Sequence, residues 1–120
     1  MRILLADDEK ILALWLARAL GQGGIVVDVV NDGRRIVAAL KATAYDALVI
    51  DLDRPRLGVL DVLVTLRTLR RRVPVLVLTH GDPKPALAVA DDVLAKPFAV
   101  EDLEARLAAL VRRTSLLASA

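Results

Sequence analysis

The chain has 120 residues and a net charge of +2, enough for one domain with its own core and too little for two. It has no cysteine, which excludes a disulfide framework and a zinc–thiolate site, and its basic residues are spread rather than gathered into the stripe a nucleic-acid surface needs. No run approaches the roughly 18–20 consecutive apolar residues of a membrane span, and Asp7-Asp8-Glu9 comes too early for a secretory signal peptide, so a soluble, cytoplasmic protein without membrane contact is expected.

Apolar, β-branched runs alternate with helical patterns along the chain. Ile3–Ala6 predicts a first strand, and Glu9 to Leu20 a first helix closed by Gly21-Gln22-Gly23-Gly24. These glycines follow a helix rather than a strand, so they end it instead of cradling a phosphate. Val26–Val30 predicts the second strand, Asn31-Asp32-Gly33 a turn, and Arg34 to Ala42 the second helix. Ala47–Ile50 is the third strand, and Leu60 to Arg71 the third helix, stopping before Pro74. The densest basic stretch, Arg67 to Arg72, closes that helix, where cations suit its dipole. Val75–Leu78 is the fourth strand. Between His80 and Asp92, Pro83 and Pro85 leave room for only about two turns of helix, near Ala86–Ala90. A short strand, Val93–Ala95, and a helix from Val100 to Arg113, preceded by Pro97, complete the domain over residues 1–113. Residues 114–120 are read as a helix end or the start of a linker.

The first helix, Lys10 to Leu20, is apolar almost all round. A surface helix needs only one apolar stripe. Leu12, Leu16, Ala19 and Leu20 are expected to form it, which turns Ile11 and Leu14 partly outward as a docking or dimer contact. A tightly packed hydrophobic helix is the other reading.

Strands alternating with helices predict an α/β fold, a parallel sheet with right-handed crossovers and helices on both faces. In such sheets ligands bind beyond the C-terminal ends of the strands. Strand one ends in Asp7-Asp8, strand three in Asp51, strand four in Thr79 and strand five in Lys96. Any one of these is an ordinary solvated strand end; all of them together on one sheet edge describe a site. Carboxylates about 4 Å apart repel by on the order of 4 kcal/mol at an effective dielectric near 20. Lys96 supplies one compensating charge, and a hard divalent cation with oxygen ligands would supply more.

Ile3-Leu4-Leu5-Ala6-Asp7-Asp8-Glu9, Val49-Ile50-Asp51-Leu52-Asp53-Arg54-Pro55, Val77-Leu78-Thr79 and Lys96-Pro97-Phe98, in that order, resemble the receiver domain of bacterial two-component response regulators. The resemblance covers essentially the whole chain, and the stretch Lys96 to Leu107 is similar to receivers that precede a winged-helix DNA-binding domain. It implies a CheY-like, flavodoxin-like fold with strand order 2-1-3-4-5. It also implies Asp51 as the nucleophile that takes a phosphoryl group from a phosphohistidine of a sensor histidine kinase. Asp8 would bind Mg²⁺ directly, Asp7 largely through water, Asp51 itself would be a ligand, and the backbone carbonyl of Asp53 would complete the set. Lys96 would neutralise charge on the phosphoryl oxygens, and Thr79 would move to hydrogen-bond the acyl phosphate. The Lys96-Pro97 bond is expected to be cis. The family's first helix docks the kinase, which gives Ile11 and Leu14 a partner; a homodimer is the alternative contact. Nucleic acid would be reached only through a C-terminal output domain that these residues do not include. On this reading the chain is no enzyme in the turnover sense, but a phospho-acceptor with self-catalysed transfer and slow autodephosphorylation.

The sequence departs from the family's pattern at five places. The family usually has an apolar residue where Arg54 stands and Gly where Val59 stands; here Gly58 comes one position early. His80 follows Thr79 where a small residue is usual, and so narrows access, bonds the phosphoryl group or faces solvent. Val93 replaces the aromatic side chain that usually swings inward, and Tyr45 and Phe98 do not substitute for it. The connection from Thr79 to Lys96 is about five residues short, more than a turn, so the fourth helix is expected to be shortened. These features leave a phosphorylation-independent pseudo-receiver as a second reading. The Asp51/Asp53 spacing raises a third, a hydrolase with an aspartyl-phosphate intermediate, for which the chain is too short to carry a substrate cap.

Overall fold

Aliphatic runs become strands where both of their faces find cover, and the sheet is ordered by how well each run is covered. The computed structural model describes residues 1–53, 58–68, 72–88 and 90–119. Among these, five strands, β1 (Arg2–Ala6), β2 (Val26–Val30), β3 (Ala47–Asp51), β4 (Val75–Thr79) and β5 (Asp92–Ala95), alternate with α1 (Lys10–Gln22), α2 (Gly33–Ala42), α3 (Val59–Arg67), α4 (Lys84–Leu87) and α5 (Val100–Ser119). All strand pairs are parallel, in the order β2-β1-β3-β4-β5, as the resemblance implies. β3 and β4 lie inside the sheet and are buried along their whole length, whereas edge strand β2 leaves Val26 and Val29 exposed.

Alternation along the strands divides the core in two. Ile3, Leu5, Val49, Leu76 and Leu78 pack under α1 and α5 with Leu16, Leu20, Leu103 and Leu107. Leu4, Ala6, Leu48, Ile50, Val75 and Val77 pack on the other face with Ile36 and Leu40 of α2 and Val62 and Leu63 of α3. Toward the N-terminal edge of the sheet, the start of β1, the middle of β2 and the residue two before β3 are tied together. The Arg2 guanidinium donates to Asp28 at 2.7 and 3.0 Å, the Tyr45 hydroxyl donates to the same oxygen at 2.6 Å, and Arg2 lies 5.5 Å from the Tyr45 ring centroid.

Helix starts follow their local chemistry. Asp32 caps α2 by accepting from the Arg35 amide at 2.9 Å. Gly58, at φ 54°, precedes α3 in the left-handed region that glycine enters without strain, and places Val59 as the buried first residue of the helix. Thus the glycine that comes one position early serves as the entry residue of α3. Residues 54–57, where Arg54 falls, and 69–71, which hold half of the basic residues of that stretch and the expected helix end, lie outside the described residues.

Three expectations need correction. The fourth helix is one turn at Lys84–Leu87, earlier than Ala86–Ala90, because Pro85 fits a first turn, where no amide donor is required. The last helix passes Arg113 and runs to Ser119: no Gly or Pro interrupts it, and the Thr114 hydroxyl donates back to the Leu110 carbonyl at 2.9 Å. In α1 the buried stripe is Ala13, Leu16 and Leu20; Leu12 is turned to the surface and Ala19 is half-buried. Small Ala13 lets the helix approach the sheet, which rotates Leu12 outward.

Candidate functional site

Strand register gathers the polar residues that follow the apolar runs. Ala6 pairs with Ile50, so Asp7 and Asp51 leave the sheet side by side. Asp51 pairs with Leu78, and Thr79 with Ala95, so Thr79 and Lys96 follow on the next two strands. Asp7, Asp51 and Thr79 are buried, and Asp8 is half-buried. The Asp7 amide donates to the Val30 carbonyl at 3.1 Å, and Asp7 Oδ1 accepts from the Glu9 amide at 3.0 Å, turning the chain from β1 into α1.

Asp51 is held at both carboxylate oxygens. Oδ2 accepts from Lys96 Nζ at 2.7 Å, and Oδ1 accepts from the Asp53 amide at 2.9 Å in a tight turn after β3. Lys96 is held there by its own amide, which donates to the Thr79 carbonyl at 2.9 Å; the Lys96-Pro97 bond is cis, as expected.

The side chain of Asp53 is a second hub, whereas the receiver resemblance implies only a backbone role for this residue. Its Oδ1 accepts from the Thr79 hydroxyl at 3.1 Å, and its Oδ2 from the His80 amide at 2.9 Å and Lys96 Nζ at 3.1 Å. Thr79 Oγ in turn accepts from the Gly81 amide at 3.1 Å. Burial acts to raise the Asp53 pKa, but the donors from His80, Lys96 and Thr79 outweigh it and hold the carboxyl below its ordinary value. An ionised carboxylate accepts protons rather than supplying them, so Asp53 is a poor general acid. The available signal was the Asp-X-Asp spacing itself, which turns a second carboxylate back over the first.

The donors are hard oxygens, with Lys96 shared between Asp51 and Asp53, which suits a magnesium-like cation. Among the described residues no three acidic or histidine side chains converge to hold an ion. A cation here would therefore draw on one or two carboxylates with carbonyl and water oxygens, the pattern magnesium favours. Asp8, Asp7, Asp51 and the Asp53 carbonyl fit that donor chemistry.

The remaining expected residues lie elsewhere. His80 is exposed and enters the network through its backbone amide. Val93 is half-buried and packed against the core under α2 and α3. Neither aromatic replaces a swinging ring: Tyr45 is bound to Asp28 at the far end of the sheet, and Phe98 packs on the opposite core. Ile11 and Leu14 are exposed, at 83% and 65%, and they adjoin Trp15 and Leu12, which enlarge the patch beyond the two residues expected.

Residues 3–108 match the response regulator receiver domain family. The chain is 43% identical over 118 residues to the transcriptional regulatory protein QseB of Haemophilus influenzae, a match covering 94% of this chain and 53% of QseB. The chain spans about half the length of the curated relatives it matches. Among solved structures, a Francisella response regulator receiver domain superimposes with a TM-score of 0.84 at 30% identity, covering 94% of this chain and 98% of that one. The receiver domain of a Pseudomonas aeruginosa sensor histidine kinase, solved with a magnesium ion in its active site cleft, superimposes with a TM-score of 0.83 at 30% identity, covering 92% and 96%.

Proposed function

The chain belongs to the response regulator receiver domain family of two-component systems, and from that membership we propose that Asp51 is its phospho-acceptor. The observation that carries this reading is Lys96 Nζ at 2.7 Å from Asp51 Oδ2, with Thr79 on the neighbouring strand. In the reaction a carboxylate oxygen of Asp51 attacks phosphorus, the P–N bond of a phosphohistidine breaks, and the imidazole leaves with the electron pair. Lys96 holds positive charge beside the oxygens that gain negative charge, the largest contribution protein groups make to such a transfer. The sheet fixes these groups before the donor arrives, so little reorganisation is needed. Magnesium, held by Asp8, Asp51 and the Asp53 carbonyl with Asp7 largely through water, would supply further charge neutralisation; the related Pseudomonas receiver supports that choice.

The donor is a sensor histidine kinase, docking on the exposed Ile11, Leu14 and Trp15 face of α1. The output is transcriptional, as the curated relatives' names support, and would act through a DNA-binding domain in the cytoplasm. The chain turns over no substrate of its own; transfer is self-catalysed and loss of the phosphoryl group is slow. Asp51, Lys96 and Thr79 occupying their strand ends together weigh against a pseudo-receiver.

The test is labelling with acetyl phosphate in the presence of Mg²⁺, read by intact mass. Wild type should gain one phosphoryl group and Asp51→Ala none. Equal labelling of both proteins, or none in wild type across a wide Mg²⁺ range, rejects the reading.

A further inference from the structure

Three donors converge on one carboxylate that is not the phospho-acceptor. The Thr79 hydroxyl, the His80 amide and Lys96 Nζ all point to Asp53, at 3.1, 2.9 and 3.1 Å. An ammonium group, a hydroxyl and a backbone amide around one anion are the partners a phosphoryl group on Asp51 would need for its three acceptor oxygens. Lys96 already bridges the two carboxylates, reaching Asp51 at 2.7 Å.

We propose that the Asp53 side chain is an internal surrogate for the phosphoryl group, a latch that holds Thr79 and Lys96 in the resting state. Resting on the phospho-acceptor reading of Asp51, it adds a positioning role for a carboxylate two residues on. A phosphoryl group on Asp51 gains its full set of contacts only when Thr79 and Lys96 leave Asp53. The latch therefore opposes phosphorylation and sets its threshold, and it explains why the hydroxyl of a buried threonine is tied to a more exposed aspartate across 26 residues of sequence. Thr79 continues the β4 alternation that turns Val75 and Val77 toward the core carrying Ala86, Ala90 and Val93, so its release is felt on the α4 side of the sheet.

The experiment is a titration with beryllofluoride at saturating Mg²⁺, with bound fluorine and the Thr79 methyl followed by NMR. Asp53→Ala should bind roughly tenfold tighter than wild type, the fold-change expected when a charge-assisted competitor is removed. In the ligand-free variant the Thr79 methyl should already have moved toward its wild-type bound position. Asp53→Asn, which keeps an acceptor oxygen without the charge, should show a smaller gain. Unchanged affinity in Asp53→Ala overturns the latch. Equal gains in both variants with Thr79 unmoved reduce the effect to charge repulsion and overturn it too. Should Asp53→Ala fail to fold, unchanged affinity in Asp53→Asn is decisive against it. A folded wild type that binds no beryllofluoride rejects the phospho-acceptor reading and the latch together, whereas wild-type binding without the Asp53 effects rejects the latch alone.

Discussion

Lys96 Nζ lies 2.7 Å from Asp51 Oδ2, and both side chains are screened from solvent, at 11% and 1% exposed. Removing one member of a buried pair costs about 3–5 kcal/mol, because the other charge is left in a low-dielectric site. Lys96→Met should lower the unfolding free energy by about 3 kcal/mol in urea at neutral pH. Adding Asp51→Asn to it should recover most of that loss without restoring phosphorylation. A Lys96→Met protein as stable as wild type would show that the pair is solvated.

Thr79→Val keeps the shape of the buried side chain and removes its bonds to Asp53 Oδ1 and the Gly81 amide. Loss of a bond to a partner that keeps other donors costs about 1 kcal/mol. Labelling of Asp51 by acetyl phosphate should persist, while the amide shifts that phosphorylation produces in α4 and β5 disappear. Retention of those shifts would remove Thr79 from the switch.

The N-terminal cluster gives a pH signature at both ends of the range. Hydrogen bonds from Tyr45 and Arg2 hold Asp28 below its ordinary pKa of 3.8. Its contribution to stability is then present above about pH 4 and is lost as pH falls through the depressed folded value. Burial, and then Asp28, raise Tyr45 above 10.0. That contribution is present below pH 10 and is lost as pH rises through the raised folded value. Tyr45→Phe should flatten the alkaline limb, and Asp28→Asn both limbs, in denaturation curves taken across pH. An unaltered alkaline limb in Tyr45→Phe would exclude its phenol as the group responsible.

On α1, Ile11 and Leu14 make little use of the core. Ile11→Glu and Leu14→Lys should change stability by less than about 0.5 kcal/mol, as surface substitutions do. Transfer from a phosphorylated cognate kinase should slow at least tenfold, while labelling by acetyl phosphate stays at the wild-type rate. Equal slowing with both donors would place the defect in the site rather than in docking.

The strands were legible because short continuous aliphatic runs such as Val75–Leu78, alternating with helical patterns, are what the doubly covered strands of a parallel sheet require. The site was legible for the same reason: the first polar residue after each run marks a strand end, and the register brings Asp7, Asp51, Thr79 and Lys96 to one edge. Rotation of α1 was not legible, because apolar residues lie almost all round the helix and offer more than one buried stripe; the stripe through Ala13, Leu16 and Leu20 took the contact. The end of α5 stayed open between a helix end and a linker, because only the back-bonding of Thr114 and the lack of a breaker separate the two there. The spacing of Asp51 and Asp53 was legible, but the bonds of the Asp53 side chain to Thr79, His80 and Lys96 were not, because the turn after β3 decides where that carboxylate reaches.

The sheet that carries the chemistry is also a wall. The buried side chains under α1 and α5 and those under α2 and α3 form separate clusters. Damage on one side is therefore compartmentalised: a cavity at Leu103, such as Leu103→Ala would leave, should speed amide exchange in α1 and α5 while α2 and α3 keep their protection. A partner that grips α1 can loosen one half of the molecule while the α2 and α3 half stays intact.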